Sequence, residues 1–164
     1  MDDFLWSRGR RATLIEITAL TAVDRPRWSE LWRGYLAFYE TILPSEVYDH
    51  TWHRILADES IHGLAARTPN GIVGITHFLF HAHGWTLQHA CYLQDLFVDP
   101  AARGTGAGRK LIEAVAVKAR EHGADRLYWM TQDTNTTARR LYDRLAKTRG
   151  YIKYDYPPLT GPAV

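Results

Sequence analysis

Between Trp28 and Tyr39 the large apolar residues fall at Trp28, Leu31, Trp32, Tyr35, Leu36 and Tyr39, the three-and-four spacing that puts them on one face of a helix. Asp24-Arg25-Pro26 ahead of them supplies an acid for the N-cap and an early proline, both suited to a helix start. Pro44-Ser45-Glu46 predicts a second helix that carries Val47, Trp52, Ile55 and Leu56. On either side of this pair the pattern becomes strand-like. Thr13 to Thr18 predicts a first strand, and Ile61 to Thr68 and Gly71 to Phe80 predict two more, joined by Pro69-Asn70-Gly71, where Asn and Gly tolerate positive φ. Cys91 to Val98 is a further strand, stopped by Asp99-Pro100. Leu111, Ile112, Val115 and Ala119 then return to helical spacing up to about Gly123. Asp125 to Thr131 predicts a strand, and Asn135 to Lys147 a helix with Ala138, Leu141, Tyr142 and Leu145 on one face. The alternating Gly150 to Tyr156 predicts a closing strand. Hairpins followed by crossovers imply an α/β fold with a mixed sheet and helices on both faces. A single domain over residues 12–158 is expected, with a loosely held arm at 1–11 and a short tail at 159–164.

Composition narrows the function classes. With 20 Lys+Arg against 18 Asp+Glu the net charge is only +2, which points to neither a nucleic-acid binder nor a membrane-surface protein. The single cysteine, Cys91, excludes an internal disulfide and fits a reducing compartment. Asp2 and Asp3 stand where a secretory signal would carry cations, and no apolar run approaches the roughly 20 residues of a membrane span, so a cytoplasmic location is expected.

The chemistry concentrates between Cys91 and Ala116. Arg103-Gly104-Thr105-Gly106-Ala107-Gly108-Arg109-Lys110 has glycine at every second position, so backbone N–H groups can turn toward one point with no Cβ in the way. A helix follows, and from Ala101 to Ile112 there are three cations and no acid. Helix starts favour Asp or Glu; one made more positive by its own sequence expects an anion from outside. A P-loop fails on register, because the fifth residue after Gly104 is Arg109 and Lys110 is followed by Leu111. The dinucleotide fingerprint also fails, its last glycine falling on Arg109 or Leu111.

Arg103-x-x-Gly106-x-Gly108 matches the [QR]-x-x-G-x-[GA] pattern of the GNAT superfamily of acetyl-CoA-dependent N-acetyltransferases. Asn135-Thr136-Thr137-Ala138-Arg139-Arg140-Leu141-Tyr142 resembles the family's N-x-x-A-x-x-L/F-Y helix, and Gly150-Tyr151 its Gly-aromatic pair. The resemblance runs from about Trp28 to Tyr156. Tyr92 to Gly108, YLQDLFVDPAARGTGAG, is most similar to the diamine (spermidine/spermine and thialysine) acetyltransferases and a yeast branch acting on histones and D-amino acids.

The resemblance implies six to seven mostly antiparallel strands, about four helices and a splayed central strand pair. It implies acetyl-CoA held by the main chain of Leu96, Phe97 and Val98 and by Arg103, Gly104, Thr105, Gly106, Ala107, Gly108 and Arg109, with Asn135 and Ala138 as further contacts. Tyr142 is implied as the acid that protonates the departing thiolate, although its place beside Leu141 and Leu145 also suits plain packing. Where diamine acetyltransferases have adjacent acids, Glu then Asp, this chain has Gln94-Asp95. Gln94 cannot take a proton. Asp95 is left as the candidate base or as the charge that binds a cationic amine, and the substrate expected is a small, singly charged amine rather than a polyamine. Trp85, Trp129 and Tyr39 are candidates for a cation–π wall, with Glu40 or Glu46 for charge. His77, His81 and His83 share a strand face but lack a cysteine or acid to complete a metal site, so no metal is expected. A homodimer is expected from the family alone. Acetylation of a protein lysine or N-terminus, and CoA binding without turnover, stay open as alternatives.

Overall fold

A computed structural model describes residues 14–156, which form two compact units that divide between Met130 and Thr131. The proposed arm, 1–11, and tail, 159–164, lie outside the described residues.

The first unit is a five-stranded sheet in chain order, β1 (Glu16–Ala19), β2 (His62–Thr68), β3 (Gly71–Ala82), β4 (His89–Val98) and β5 (Arg126–Tyr128). The first four strands are antiparallel to their neighbours; β5 runs parallel to β4. Helices α1 (Arg25–Phe38) and α2 (Ser45–Ala57) connect β1 to β2, and α3 (Ala107–His122) connects β4 to β5. Ile75 and its partner Phe97 join the core made with α1 and α2, whereas Gly74 and its partner Val98 stand beside Leu111 of α3. Helices therefore cover both faces, as the pattern predicts. The second unit contains α4 (Thr136–Tyr142).

Apart from shifts of a residue or two at strand ends, three elements differ from the expectation. Among the described residues five strands stand where six to seven are expected, because Gly150 to Tyr156 forms none. Alternation makes a strand only where an edge is there to pair, and that information is not local. β5 has three residues rather than seven. α4 ends at Tyr142, after which Leu145 N–H bonds back to the Tyr142 carbonyl in a tightened turn.

The core is aromatic. Trp28 has no exposed surface, and its ring centroid lies 5.1 Å from that of Trp32 and 4.8 Å from that of Trp52. Gly34 lets α1 lie close on β4, since a Cβ there would stand 2.7 Å from Phe97 Cζ.

Asp24 departs from its expected role as an N-cap. It stands at the start of α1, yet its carboxylate turns back to accept from the Thr21 N–H and hydroxyl and from both terminal nitrogens of Arg67 on β2. The Arg67 hydrogen bonds, against the opposing cost of burial, hold its carboxyl below the usual carboxylate range. A depressed folded pKa contributes stability above the unfolded value of about 3.9, and this stability is lost as pH falls through the folded value. Asp24→Asn is expected to cost about 1–3 kcal/mol at pH 7 in urea unfolding, with the gap to wild type closing below about pH 3.5.

One irregularity positions the site. His77 pairs with Asp95 and Phe78 with Leu93, so Gln94 is an extra residue on β4 with no partner on β3. This β-bulge reverses the alternation. Phe78, and with it Leu93, faces the α3 side, where the neighbouring Phe80 stacks on His122 of α3. Two residues later Asp95 faces α1.

Candidate active site

Asp95 is 5 % exposed, and its Oδ2 accepts two hydrogen bonds, from His77 Nδ1 at 2.8 Å and from Trp32 Nε1 at 3.2 Å. The other ring nitrogen of His77 accepts from Trp28 Nε1 at 2.8 Å. Thr76 Oγ1 donates to the Asp95 carbonyl at 2.8 Å, which fixes the backbone as well. Two turns of α1 and one rung of the sheet thus converge on a single carboxylate. Among the described residues its one ion-pair neighbour is His77, and no Lys or Arg stands against it.

Phenols gather on the same face. Tyr35 of α1 donates to the Gln94 carbonyl at 3.4 Å and packs edge-on against Tyr39; Tyr92 of β4 stacks on Tyr128 of β5 at 5.0 Å. Burial pushes the Tyr35 hydroxyl far above the usual phenol range, and the Asp95 charge adds to it. The Tyr92 hydroxyl is also raised, first by burial and then by the same carboxylate. These groups stay neutral donors, so the site presents one negative charge in an aromatic surround.

Beside Asp95 the sheet is open. β5 pairs with β4 only at Ala90, Cys91 and Tyr92, so from Leu93 to Val98 the edge of β4 turned away from β3 has no strand partner among the described residues. This is the splayed pair, and Leu96, Phe97 and Val98 lie along it. Asp99 then ends the strand. Its carboxylate accepts from Ala101 N–H at 2.9 Å and from Arg27 of α1 at 2.6 Å, and these two bonds hold its carboxyl below the usual range.

The glycine loop follows. Gly104 and Gly106 have φ of +79° and +91°, and a Cβ at either would meet nothing within 4 Å, so the space in front of this backbone is clear. Gly106 stands at the N-cap of α3 with no side-chain cap, and the first intrahelical bond runs from Lys110 N–H to the Gly106 carbonyl. The N–H groups of Ala107, Gly108 and Arg109 therefore have no acceptor inside the helix, and no acid stands in the first turn. A loop with these donors and this clearance fits a pyrophosphate. Of the three expected cations, Arg103 and Arg109 are exposed or half-exposed at the loop, whereas Lys110 is drawn to the Ile15 carbonyl at 2.8 Å.

The other predicted residues are dispersed. Gln94 is exposed on the bulge, and Trp85 is 83 % exposed in the β3–β4 connection, outside the tyrosine group. Glu46 is exposed in the first turn of α2, and Trp129 is half-buried just after β5. In the second unit Tyr142 closes α4, and Asn135 Oδ1 caps it by accepting from Ala138 N–H at 3.3 Å. His81 bonds to Tyr128 and the Ala82 carbonyl, His83 faces Asp125, and no group of three His, Cys, Asp or Glu among the described residues is placed to hold a metal. Burial pushes the Cys91 thiol up to about 11, which leaves it a poor nucleophile. Sequence reasoning weighed His77 only for a metal and did not place it beside Asp95, and it missed the two indole donors and Tyr35, Tyr92 and Tyr128 as site residues. A polar His77 inside the apolar run from Ile72 to Phe80 was the available signal.

An open strand edge leading into a glycine loop and a bare helix N-terminus suits a thioester and a pyrophosphate, as an acyl-CoA-dependent transferase requires. The sequence profile of the acetyltransferase (GNAT) family matches residues 27–146, and the chain belongs to that family. It is an acetyl-CoA-dependent N-acetyltransferase. It is similar to the D-amino-acid N-acetyltransferase HPA3 of Saccharomyces cerevisiae, with 35 % identity over 85 % of this chain and 89 % of that one. A thialysine N-epsilon-acetyltransferase of Caenorhabditis elegans is 29 % identical over 60 % of this chain and 64 % of its own. Among solved structures, AAC(6')-Iy in complex with a bisubstrate analog superposes with a TM-score of 0.78 at 15 % identity over 89 % of this chain and 99 % of that one. The ribosomal-protein-alanine N-acetyltransferase of Brucella melitensis biovar Abortus 2308 gives 0.73 at 23 % identity, over 87 % and 99 %. At those identities the two structures speak for the fold. No helix among the described residues is long and apolar enough to cross a membrane.

Proposed function

We propose that the chain acetylates the primary amine of a small molecule, an amino acid, lysine analogue or diamine, by direct attack with no covalent enzyme intermediate. The observation that carries this reading is Asp95: a buried carboxylate with no Lys or Arg beside it, ringed by phenols and adjoining the open edge of β4. One such charge balances one ammonium. Gln94, where a second acid would stand, adds no charge, which argues against a polyamine.

Acetyl-CoA supplies the activated acetyl group as a thioester. The main chain of Leu96, Phe97 and Val98 is offered to it along the open edge, and the loop from Gly104 to Arg109 holds its pyrophosphate. Asp95 receives the ammonium and takes its proton, directly or through water, so that the nitrogen lone pair is free to attack. Tyr142 returns a proton to the sulfur as the C–S bond breaks, and the second proton shed by the acetylated nitrogen replaces the one it gave. Asn135 and Ala138 start the helix that carries Tyr142 and are proposed as further cofactor contacts. The D-amino-acid and thialysine activities named for the two relatives suit an amino-acid acceptor. A cytoplasmic homodimer belongs to the same proposal.

A thiol-release assay with acetyl-CoA decides the acceptor class. Turnover is expected with D- and L-amino acids, lysine analogues or diamines. Turnover of basic peptides alone, or of nothing in the panel, would sink the small-molecule reading. In that assay Tyr142→Phe is expected to lower kcat about a hundredfold while Kd for CoA stays within about twofold. Unchanged kcat would remove Tyr142 from its proposed role.

A further inference from the structure

We propose that Trp28 and His77 are positioning residues for this acetyl transfer: the Trp28 indole locks His77 as the neutral Nδ1–H tautomer, so that Asp95 keeps its charge for the substrate. This rests on the reading that Asp95 receives the ammonium, and it concerns groups that themselves touch neither substrate nor cofactor.

The lock follows from what each atom can do. An indole N–H only donates, so at 2.8 Å the Nε2 of His77 must offer its lone pair. The single proton of the ring then lies on Nδ1, which faces Asp95 Oδ2 at 2.8 Å and donates to it. An imidazolium would point an Nε2–H at the indole N–H, two donors with no acceptor between them. Trp28 has no room to turn aside. It is fully buried between Trp32 and Trp52, with the Arg25 guanidinium carbon 5.0 Å from its ring centroid.

The surroundings work the same way. The charged or titratable groups around His77 are Asp95 and Tyr92 of β4, Tyr35 and Arg25 of α1, Tyr48 of α2, with Arg33 over the Tyr48 ring, Tyr128 of β5, and His81 on its own strand. Its partner on β2 is Gly63, which adds none. Asp95 is the one acid in contact with His77; Asp49 of α2 also belongs to the surroundings but is paired with Arg25, so those two charges offset each other. Were His77 to gain a second proton, it would pair with Asp95 and take the place meant for the substrate cation. A neutral donor keeps the carboxylate oriented and leaves its charge unspent.

The test is Trp28→Phe, which keeps an aromatic ring in the core and removes the N–H. Long-range proton–nitrogen NMR of the imidazoles, read without substrate, and kcat/KM for the best amine are measured together from pH 8.5 to 5.5. Wild-type His77 is expected to show the Nδ1–H tautomer throughout. In Trp28→Phe a doubly protonated ring is expected to appear within that range, and kcat/KM relative to wild type should fall about tenfold between pH 8 and 5.5. A packing defect would lower that ratio equally at every pH. Trp28→Phe/His77→Asn, whose amide still donates to Asp95 but cannot titrate, should restore a flat ratio. A wild-type imidazolium or Nε2–H tautomer overturns the lock, and this spectrum decides it even if the Phe variant fails to fold. A His77 that titrates in Trp28→Phe while the ratio stays flat overturns the proposal through its other half, the assignment of Asp95 to the ammonium.

Discussion

Asp95→Asn is expected to lower kcat/KM about a thousandfold at pH 7.4 for an amine of lysine-like basicity, with the deficit closing about tenfold per unit as pH rises. Asn is nearly the same shape, and its amide oxygen can still accept from His77 Nδ1 and Trp32 Nε1, so the fold around it is kept. What is lost is the charge and the place for a proton. A lysine-like ammonium has a pKa near 10.4, so at pH 7.4 only about one molecule in a thousand is already the free amine that the variant needs. Initial rates of thiol release across pH 7 to 10 check this. A deficit in KM alone, with kcat preserved, would leave Asp95 as a binder of charge rather than a proton acceptor. No deficit at all would end its place in the site.

Gly106→Val is expected to raise Kd for CoA about a hundredfold or more, measured by calorimetry. Gly106 has φ of +91°, a region closed to a β-branched residue, so the loop must move. Moving it disperses the N–H groups of Ala107, Gly108 and Arg109. Charge-assisted hydrogen bonds are worth about 1.5–3 kcal/mol each, so the loss of one or two is roughly tenfold to ten-thousandfold in affinity. The buried face of α3, formed by Leu111, Ile112, Val115 and Ala119, is not touched, so far-UV circular dichroism should be unchanged. Normal CoA affinity in this variant would refute the pyrophosphate cradle.

What the sequence made legible was local. The apolar spacing of Trp28, Leu31, Trp32 and Leu36 located α1 to within a residue at each end, and Pro69-Asn70-Gly71 located the hairpin. The glycine loop was readable because missing acids and backbone freedom are properties of consecutive residues. Pairing was not readable. The bulge at Gln94 depends on how β3 and β4 register, and without it strict alternation would put Asp95 on the face of Leu93. His77 meets Asp95 across that register, 18 positions away. Asp24 has the look of an N-cap and is instead drawn off by Arg67, 43 positions away. Gly150 to Tyr156 erred in the opposite sense, with a strand-like pattern and no strand.

The extra residue in β4 also sets what this strand can tolerate. Side chains between Leu93 and Val98 can be exchanged one for one and each alters its own contacts. Removing Gln94 is different in kind, because it takes out the bulge itself. Leu93 and Asp95 would become neighbours in plain alternation opposite Phe78 and His77, so the carboxylate would keep its face while the local bend and twist of the strand were lost. The deletion would also take away the carbonyl to which Tyr35 donates, so the cost would fall on how the phenol is aimed rather than on which side of the sheet the charge stands.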